Sequence, residues 1–463
     1  MRNQNMNRLR MMTAALIALS LAGCAIAPAR VDRPQVAAAW QAMPTAGSAQ
    51  QQDGAWWRAF GSAELDRLMD TALKGNLDWH AALARIEQSR ALLKATEADA
   101  YPQASLDGSV SNSRNRSGGA QRTSTTSNSR QAGVSVSYEV DLWGRLAADR
   151  GSAKSSLAAA RFSALGTRLL LETELASTYF QLCTLDERLA LAKKNTTLAR
   201  DTLTRVGAQR RLGAVDDVAV AQQRQLVESL AAGEALLTSQ RHDAKTALAV
   251  LTGSAPQGFT LKTQAVASFA LPTPAAGQPA ELLTRRPDIL QAEAQLAAAE
   301  ADVASARAAF YPQLTLTAKG VVSAVSGGGT GVLTSLLAGL TQPLFDGGRL
   351  SASLSLNKAR RDELVAAYKQ TVLAALKEGE DALDGWLQTA TRTDALGRSL
   401  AAARDAYRLS DGRYRAGAID YLTLLDAQRT LIASEDGYLA AGNDRLDALL
   451  TLYKALGGAG RPA

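Results

Sequence analysis

The chain has 463 residues, 46% hydrophobic and 21% charged, with 2 Cys and 2 His; it is too apolar for disorder and long enough for two ordinary domains. His80 and His242 with two cysteines cannot build a histidine metal centre, a thiolate zinc site or a disulfide framework. The net charge of +7 includes Arg2, Arg8 and Arg10, and the small excess left without them argues against nucleic-acid binding.

Residues 1–23 read as a signal peptide, with a positive start at Arg2, Arg8 and Arg10 and an apolar core from Met11 to Ala22. It ends in Leu21-Ala22-Gly23-Cys24, which resembles the bacterial lipobox. That resemblance makes Cys24 the lipidated first residue of the mature chain, and Ala25 after it favours the outer membrane. The alternative is an ordinary secretion signal with a chance Cys. Stable anchoring takes at least two membrane signals, which a multiply acylated Cys24 would supply. After Cys24 comes an extended segment, 24–61. Nothing downstream is an uninterrupted apolar run of ~18 residues, so any membrane crossing must be made by strands.

An internal repeat organises the rest. Asn76 to Leu106 aligns without gaps on Arg286 to Leu316, with nine identities that include Tyr101-Pro102-Gln103 against Tyr311-Pro312-Gln313. Gly144-Arg145-Leu146 then matches Gly348-Arg349-Leu350, and Gly213-Ala214-Val215-Asp216 matches Gly417-Ala418-Ile419-Asp420. The spacing between these last two motifs is the same in both copies, whereas the spacing before them differs by six residues. A long packed helix tolerates no length change and a surface loop does. The two copies occupy 62–253 and 282–456, with a Pro-rich linker at 254–281 and a tail at 457–463.

Each copy predicts a helix, two strands, a long helix and a further helix. Leu175, Thr178, Leu182, Leu185, Leu189, Ala192, Thr196, Ala199, Leu203 and Val206 alternate spacings of three and four, the period of a left-handed coiled-coil seam. Phe162, Leu165, Leu169, Ala176, Phe180 and Cys183 form a second stripe. Two stripes require two neighbours. From Arg145 to Gly213 is 68 residues, which as one continuous helix at ~1.5 Å per residue would span on the order of 100 Å. The Gly-Ala turns join antiparallel helices into hairpins.

The strands show the opposite period. Val134, Val136, Tyr138 and Val140 alternate with polar residues, as do Leu314, Leu316 and Ala318. Segments of about eight to ten such residues suit a lipid-facing barrel with a wet lumen, although a half-buried soluble sheet has the same local pattern. Val332 to Phe345 alternates poorly. Ser113–Arg130 and Ser326–Gly331 read as Ser/Gly-rich loops, and Arg114, Arg116, Arg122 and Arg130 suit either plain solvation or anionic headgroups.

With these motifs, the chain resembles the TolC-type outer-membrane factors, in their NodT-like efflux lipoprotein subfamily. The resemblance is carried by Cys24, Trp56-Trp57-Arg58-Ala59-Phe60, Leu283 through Ile289, Ala306 through Gln313, and Gly417 through Gln428. It implies a mainly α fold with a small β component: a trimeric α-barrel of long coiled-coil helices continuous with a twelve-stranded transmembrane β-barrel, four strands per protomer. Four strands cannot close a barrel alone, and lipid does not tolerate an open sheet edge.

The resemblance further implies an outer-membrane exit duct of a tripartite efflux system, with its helices in the periplasm. The partners would be a periplasmic adaptor and an inner-membrane transporter of the RND type, with outer-membrane lipid around the strands. The helix tips would form the gate: Leu422, Asp426 and Arg429 at the constriction, Tyr414 in the adjoining network, and Gly213, Ala214, Gly417 and Ala418 at the turns that meet the adaptor. Leu422, Asp426 and Arg429 lie along one helical face, and threefold repetition of Asp426 would give a cation-selecting ring. The plainer reading of Asp426 and Arg429 is an i,i+3 surface pair. A periplasmic lipoprotein adaptor or coiled-coil scaffold without a pore is the rival function. No nucleophile, metal or phosphate-loop arrangement points to an enzyme, a cofactor or a bound metal.

Overall fold

The computed structural model describes residues 35–42, 55–117, 123–273, 276–326 and 329–458. Cys24 and Arg122 lie outside these residues. A 3₁₀ turn at Trp56–Phe60 precedes α1 (Ala63–Gly75) and α2 (Leu77–Ala98). Then come β1 (Gln103–Ser117), β2 (Thr123–Val140), α3 (Arg145–Arg211) and α4 (Asp217–Leu251). After the linker, α5 (Leu282–Arg285), α6 (Pro287–Ala308), β3 (Gln313–Val325), β4 (Thr330–Thr341), α7 (Arg349–Arg415) and α8 (Tyr421–Ala455) repeat the order. The duplication is kept in the element lengths: α2 and α6 have 22 residues each, α3 and α7 have 67, and α4 and α8 have 35. The strands differ, with 15 and 18 residues in the first copy against 13 and 12 in the second, and so does the opening helix, with 13 residues in α1 against 4 in α5. The six-residue difference is the sum of a hairpin nine residues shorter in the second copy, 313–341 against 103–140, and a connector to the long helix three residues longer, 342–348 against 141–144; both changes leave the helix lengths untouched.

The residues group into two compact units that cut across the repeat. One contains Ser89–Leu157 and Ala294–Ala367; the other contains Ala158–Glu293 and Tyr368–Ala463 with the residues leading up to Gln88.

The first unit contains one antiparallel sheet in the order β1-β2-β3-β4. Its strands exceed the expected eight to ten residues, and two expected loops are corrected. The 113–117 and 123–130 stretches are paired strand, with Arg114 opposite Thr126 and Val110 opposite Arg130. Backbone ladders do not depend on side-chain polarity, and cross-strand polar pairs support this end: Ser111 to Ser129 at 2.7 Å and Asn112 to Asn128 at 2.6 Å. β4 likewise begins at Thr330 and ends at Thr341 rather than Phe345, before Pro343, which has no N–H for a ladder. The helices that leave the sheet start on aspartate caps. Asp141 accepts from the N–H groups of Leu146 and Ala147, and Asp346 from those of Gly348 and Leu350. The Asp346 carboxyl is held low, chiefly by the Leu350 N–H. Trp143 stacks on Tyr311 at 4.8 Å and donates to the Pro312 carbonyl, which gives the repeated Tyr-Pro-Gln a packing role.

The second unit has its main core where Trp56, Trp57 and Phe60 pack with Leu65, Leu68 and Met69 of α1, Leu175 to Leu189 of α3, and Leu446 to Tyr453 of α8. The seam residues Leu175, Leu182, Leu185 and Leu189 are buried there together with the second-stripe residues Phe180 and Cys183. Burial pushes the Cys183 thiol up to about 11, so it is a small core group and not a nucleophile. Arg286, of the Arg-Arg-Pro-Asp segment, is 7% exposed and ties three elements together. It bonds Asp288 at 2.8 and 3.0 Å, Glu378 of α7 at 2.7 Å and the Ala455 carbonyl of α8 at 3.0 Å. Trp40 packs on Gly379, where an added Cβ would lie 2.5 Å from the ring, and donates to the Gly277 carbonyl.

Candidate functional site at the helix tips

Both helical hairpins turn by the same local chemistry. Gly213 and Gly417 take φ of 73° and 70°, the left-handed region that glycine enters without a Cβ clash. Gly213 N–H donates to the Arg210 carbonyl and Ala214 N–H to that of Gln209; Gly417 and Ala418 bond Tyr414 and Arg413 in the same way. These paired bonds close the last carbonyls of α3 and α7 in a Schellman arrangement. Three residues after each glycine an aspartate caps the next helix. Asp216 accepts from the Ala219 N–H and Asp420 from the Thr423 N–H, each at 2.9 Å. A Gly-Ala-x-Asp sequence thus ends one helix and starts the next.

What closes the turns differs. In the first copy Arg210 and Asp217 form a bidentate ion pair at 2.7 and 2.9 Å across the turn. It is exposed, and the Asp217 carboxyl is held low by the Arg210 guanidinium. The corresponding positions of the second copy are Tyr414 and Tyr421, whose rings meet edge to face at 6.1 Å. Tyr421 is buried and donates to Gln223 Oε1 of α4; Gln223 Nε2 in turn donates to the Ala199 carbonyl of α3 at 2.7 Å. Tyr414 donates to Gln209 Oε1 of α3 at 2.7 Å. Burial raises the Tyr421 phenol well above its ordinary value, so it remains a donor.

Around these bonds lies a small core drawn from both copies: Ala199 and Val206 of α3, Ala219, Leu226 and Val227 of α4, and Tyr421 and Leu425 of α8. Gln428 is buried beside Leu424 and Leu425 in sequence, and among the described residues its Nε2 has no hydrogen-bond partner. Such an amide costs about 1–3 kcal/mol.

The expected gate residues fall on the other side of α8. Leu422 is 56% exposed, and Asp426 and Arg429 are exposed, while Tyr421, Leu424, Leu425 and Gln428 are buried. The i,i+3 ion pair does not form: among the described residues no salt bridge joins Asp426 to Arg429, and Arg429 instead donates to Gln225 Oε1 of α4 at 2.8 Å. Tyr421, Gln223, Gln209 and Gln225 were missed from sequence. The signal was there for one of them, because shifting the first copy by 204 residues lays Arg210 and Asp217 on Tyr414 and Tyr421.

A model of the outer membrane efflux protein family matches residues 68–254 and 279–458. The chain belongs to that family. It is 37% identical over 455 residues to the pyoverdine export outer membrane protein OpmQ of Pseudomonas putida, covering 96% of each chain. To outer membrane protein OprJ of Pseudomonas aeruginosa it is 34% identical over 464 residues, covering 96% of this chain and 95% of that one. Among solved structures, the outer-membrane channel OprN matches with a TM-score of 0.87 at 28% identity, covering 94% of this chain and 99% of that one.

This efflux protein is therefore an outer-membrane channel and not an enzyme, the exit duct of a tripartite system, with its helical part in the periplasm. The pore-free adaptor and scaffold readings fall. Three protomers share one barrel, each supplying the four-stranded sheet. Among the described residues no helix is long and apolar enough to cross a membrane, and in such a channel the crossing is made by the strands.

Proposed function

We propose that this efflux channel is gated at the α8 tip, with Leu422 as an apolar constriction, Asp426 as a carboxylate ring and Arg429 as a lock. The observation that carries the reading is the sidedness of α8. Its inner face is held by Tyr421 and Leu425, which leaves Leu422, Asp426 and Arg429 as the exposed row. Threefold repetition of one exposed carboxylate concentrates cations at the mouth, and three leucines oppose wetting. Arg429, bonded to Gln225, links the second hairpin to the first, so releasing it frees one hairpin to move against the other. Tyr414 serves the same link through Gln209.

The turns at Gly213, Ala214, Gly417 and Ala418 are the surface offered to a periplasmic adaptor, flanked by the exposed Leu212 and Val218. An RND-type transporter supplies the energy upstream. Cys24 carries the acyl anchor, and intact-mass measurement of the mature chain tests this: acyl mass on an N-terminal Cys24 supports it, and an unmodified cysteine or another N-terminus refutes it. For the gate, single-channel recording in planar bilayers decides. Asp426→Ala is expected to lower cation selectivity and Arg429→Ala to raise conductance; wild-type behaviour in both removes these residues from the gate.

A further inference from the structure

We infer that the outer face of the sheet carries a binding surface for phosphate-bearing lipid headgroups of the outer leaflet, built from Arg114, Arg116 and Arg130. The strand register places these three on one face. In a strand alternate residues share a face, so Ala104, Leu106, Gly108 and Val110 of β1 lie on the same side as Asn112, Arg114 and Arg116. The pairings of Val110 with Arg130 and of Ala132 with Val322 extend that side across β2 and β3. It is the apolar face of the sheet, with Leu106 and Val110 each 79% exposed and Val134, Leu316, Val332, Leu336 and Leu340 exposed as well.

The height of the apolar band places the arginines. On β3 it runs from Leu314 to Ala324, ten residue steps, which at ~3.3 Å per residue and a tilt of about 40° rises about 25 Å, the height expected of a barrel's apolar belt. Arg130 pairs with Ala324 and Val110, at the upper edge of the band. Arg114 and Arg116 follow on β1, roughly 10–15 Å beyond it. This is the end of the sheet away from the helices α2 and α3 that flank it at Gln103 and Val140. With the helices in the periplasm, it is the outer-leaflet side.

The charge is of one sign. The four strands contain two acidic residues, Asp107 and Glu139, and both lie on the opposite face. There Asp107 accepts from Ser135 at 3.4 Å, and Glu139 is paired with Arg145 at 2.8 Å. The fourth cation of the strands, Lys319, is also on that opposite face, paired with Ser135 and Ser335. Arg114, Arg116 and Arg130 are exposed, and among the described residues none has an ion-pair partner. An arginine within hydrocarbon is costly, whereas one at the interface is not. Its planar fork there matches phosphate oxygens two at a time.

The test uses the full-length trimer, delipidated and reconstituted in phosphatidylcholine vesicles with or without diphosphoryl lipid A. The lipid A retained per trimer after gentle re-extraction is counted by mass spectrometry. The combined variant Arg114→Gln, Arg116→Gln, Arg130→Gln is expected to retain less by about tenfold or more, and the corresponding Lys variant to retain most of it. Conductance and heat-resistant trimer in phosphatidylcholine alone should match wild type, which separates this inference from the channel reading. If the triple variant does not assemble, Arg130→Gln alone should still show a partial loss. Equal retention by wild type and the assembled Gln variant overturns the proposal. So does complete displacement by inorganic phosphate, which would assign the arginines to free anions instead of a membrane surface.

Discussion

The two helix tips share one backbone solution and differ in what holds them shut. Both use a left-handed glycine, a pair of Schellman bonds and an aspartate cap. At the first tip, Arg210 and Asp217 make an ion pair in open solvent, where Coulomb attraction is weak and salt-screened. At the second, Tyr414 and Tyr421 make an aromatic pair whose hydroxyls reach Gln209 and Gln223 on the first hairpin. The contrast teaches that the two copies share the turn while the side chains that close it have diverged. The first turn is closed by its own ion pair; the second is closed by tyrosines that also bond across to the first hairpin.

Substitutions at matched positions sharpen or break this contrast. The largest effect is expected from Tyr421→Ala, which empties a buried aromatic site and strands Gln223; the local cost is about 3–5 kcal/mol. Limited trypsin digestion reads it directly, since Arg413 and Arg415 flank this tip and should be cut much faster. Tyr421→Phe keeps the ring and removes the bond to Gln223, costing about 1–2 kcal/mol, with a smaller rise in cleavage. Asp217→Asn should change cleavage at Arg210 and Arg211 least, because the pair it weakens lies in solvent. A larger effect at the first tip than at the second would reverse the assignment.

Salt, more than acid, separates the tips. Asp217 is held below its ordinary value in the folded chain by Arg210, so its contribution is present above the unfolded carboxylate value, near 3.9, and is lost as pH falls through the folded one. The Asp420 cap of the second tip is also held low, by Thr423, so acid weakens both tips, and only the tyrosine pair does not titrate there. Hydrogen-exchange protection, corrected for intrinsic rates, should therefore fall around Gly213 and Ala214 in high salt at neutral pH while holding around Gly417 and Ala418. Parallel loss at both tips would show that the ion pair is not what distinguishes them.

How far the sequence could be read follows from the range of each interaction. The tips were legible because glycine and aspartate act within a few residues of themselves. So were the long helices, since the 3.5-residue period of Leu175 to Val206 is a one-dimensional trace of packing. The upper half of the β1–β2 hairpin was not, since polar surroundings on both faces erase the alternation that marks a strand, although the ladder continues from Ser111 to Ser117. The latch was hidden for another reason. Tyr421 and Gln223 are 198 residues apart, and nothing local to either announces the other. Arg429 lies on the exposed face of α8, and its partner is Gln225 on the other hairpin, not Asp426 one turn away.

The claim at the centre of this account is that the second tip carries the latch of the channel. Single-channel conductance of purified trimers in planar bilayers, with Tyr421→Phe and Asp217→Asn measured side by side, tests it most directly. The account predicts raised conductance for Tyr421→Phe and wild-type conductance for Asp217→Asn. Wild-type conductance in Tyr421→Phe, or a larger change in Asp217→Asn, would contradict it.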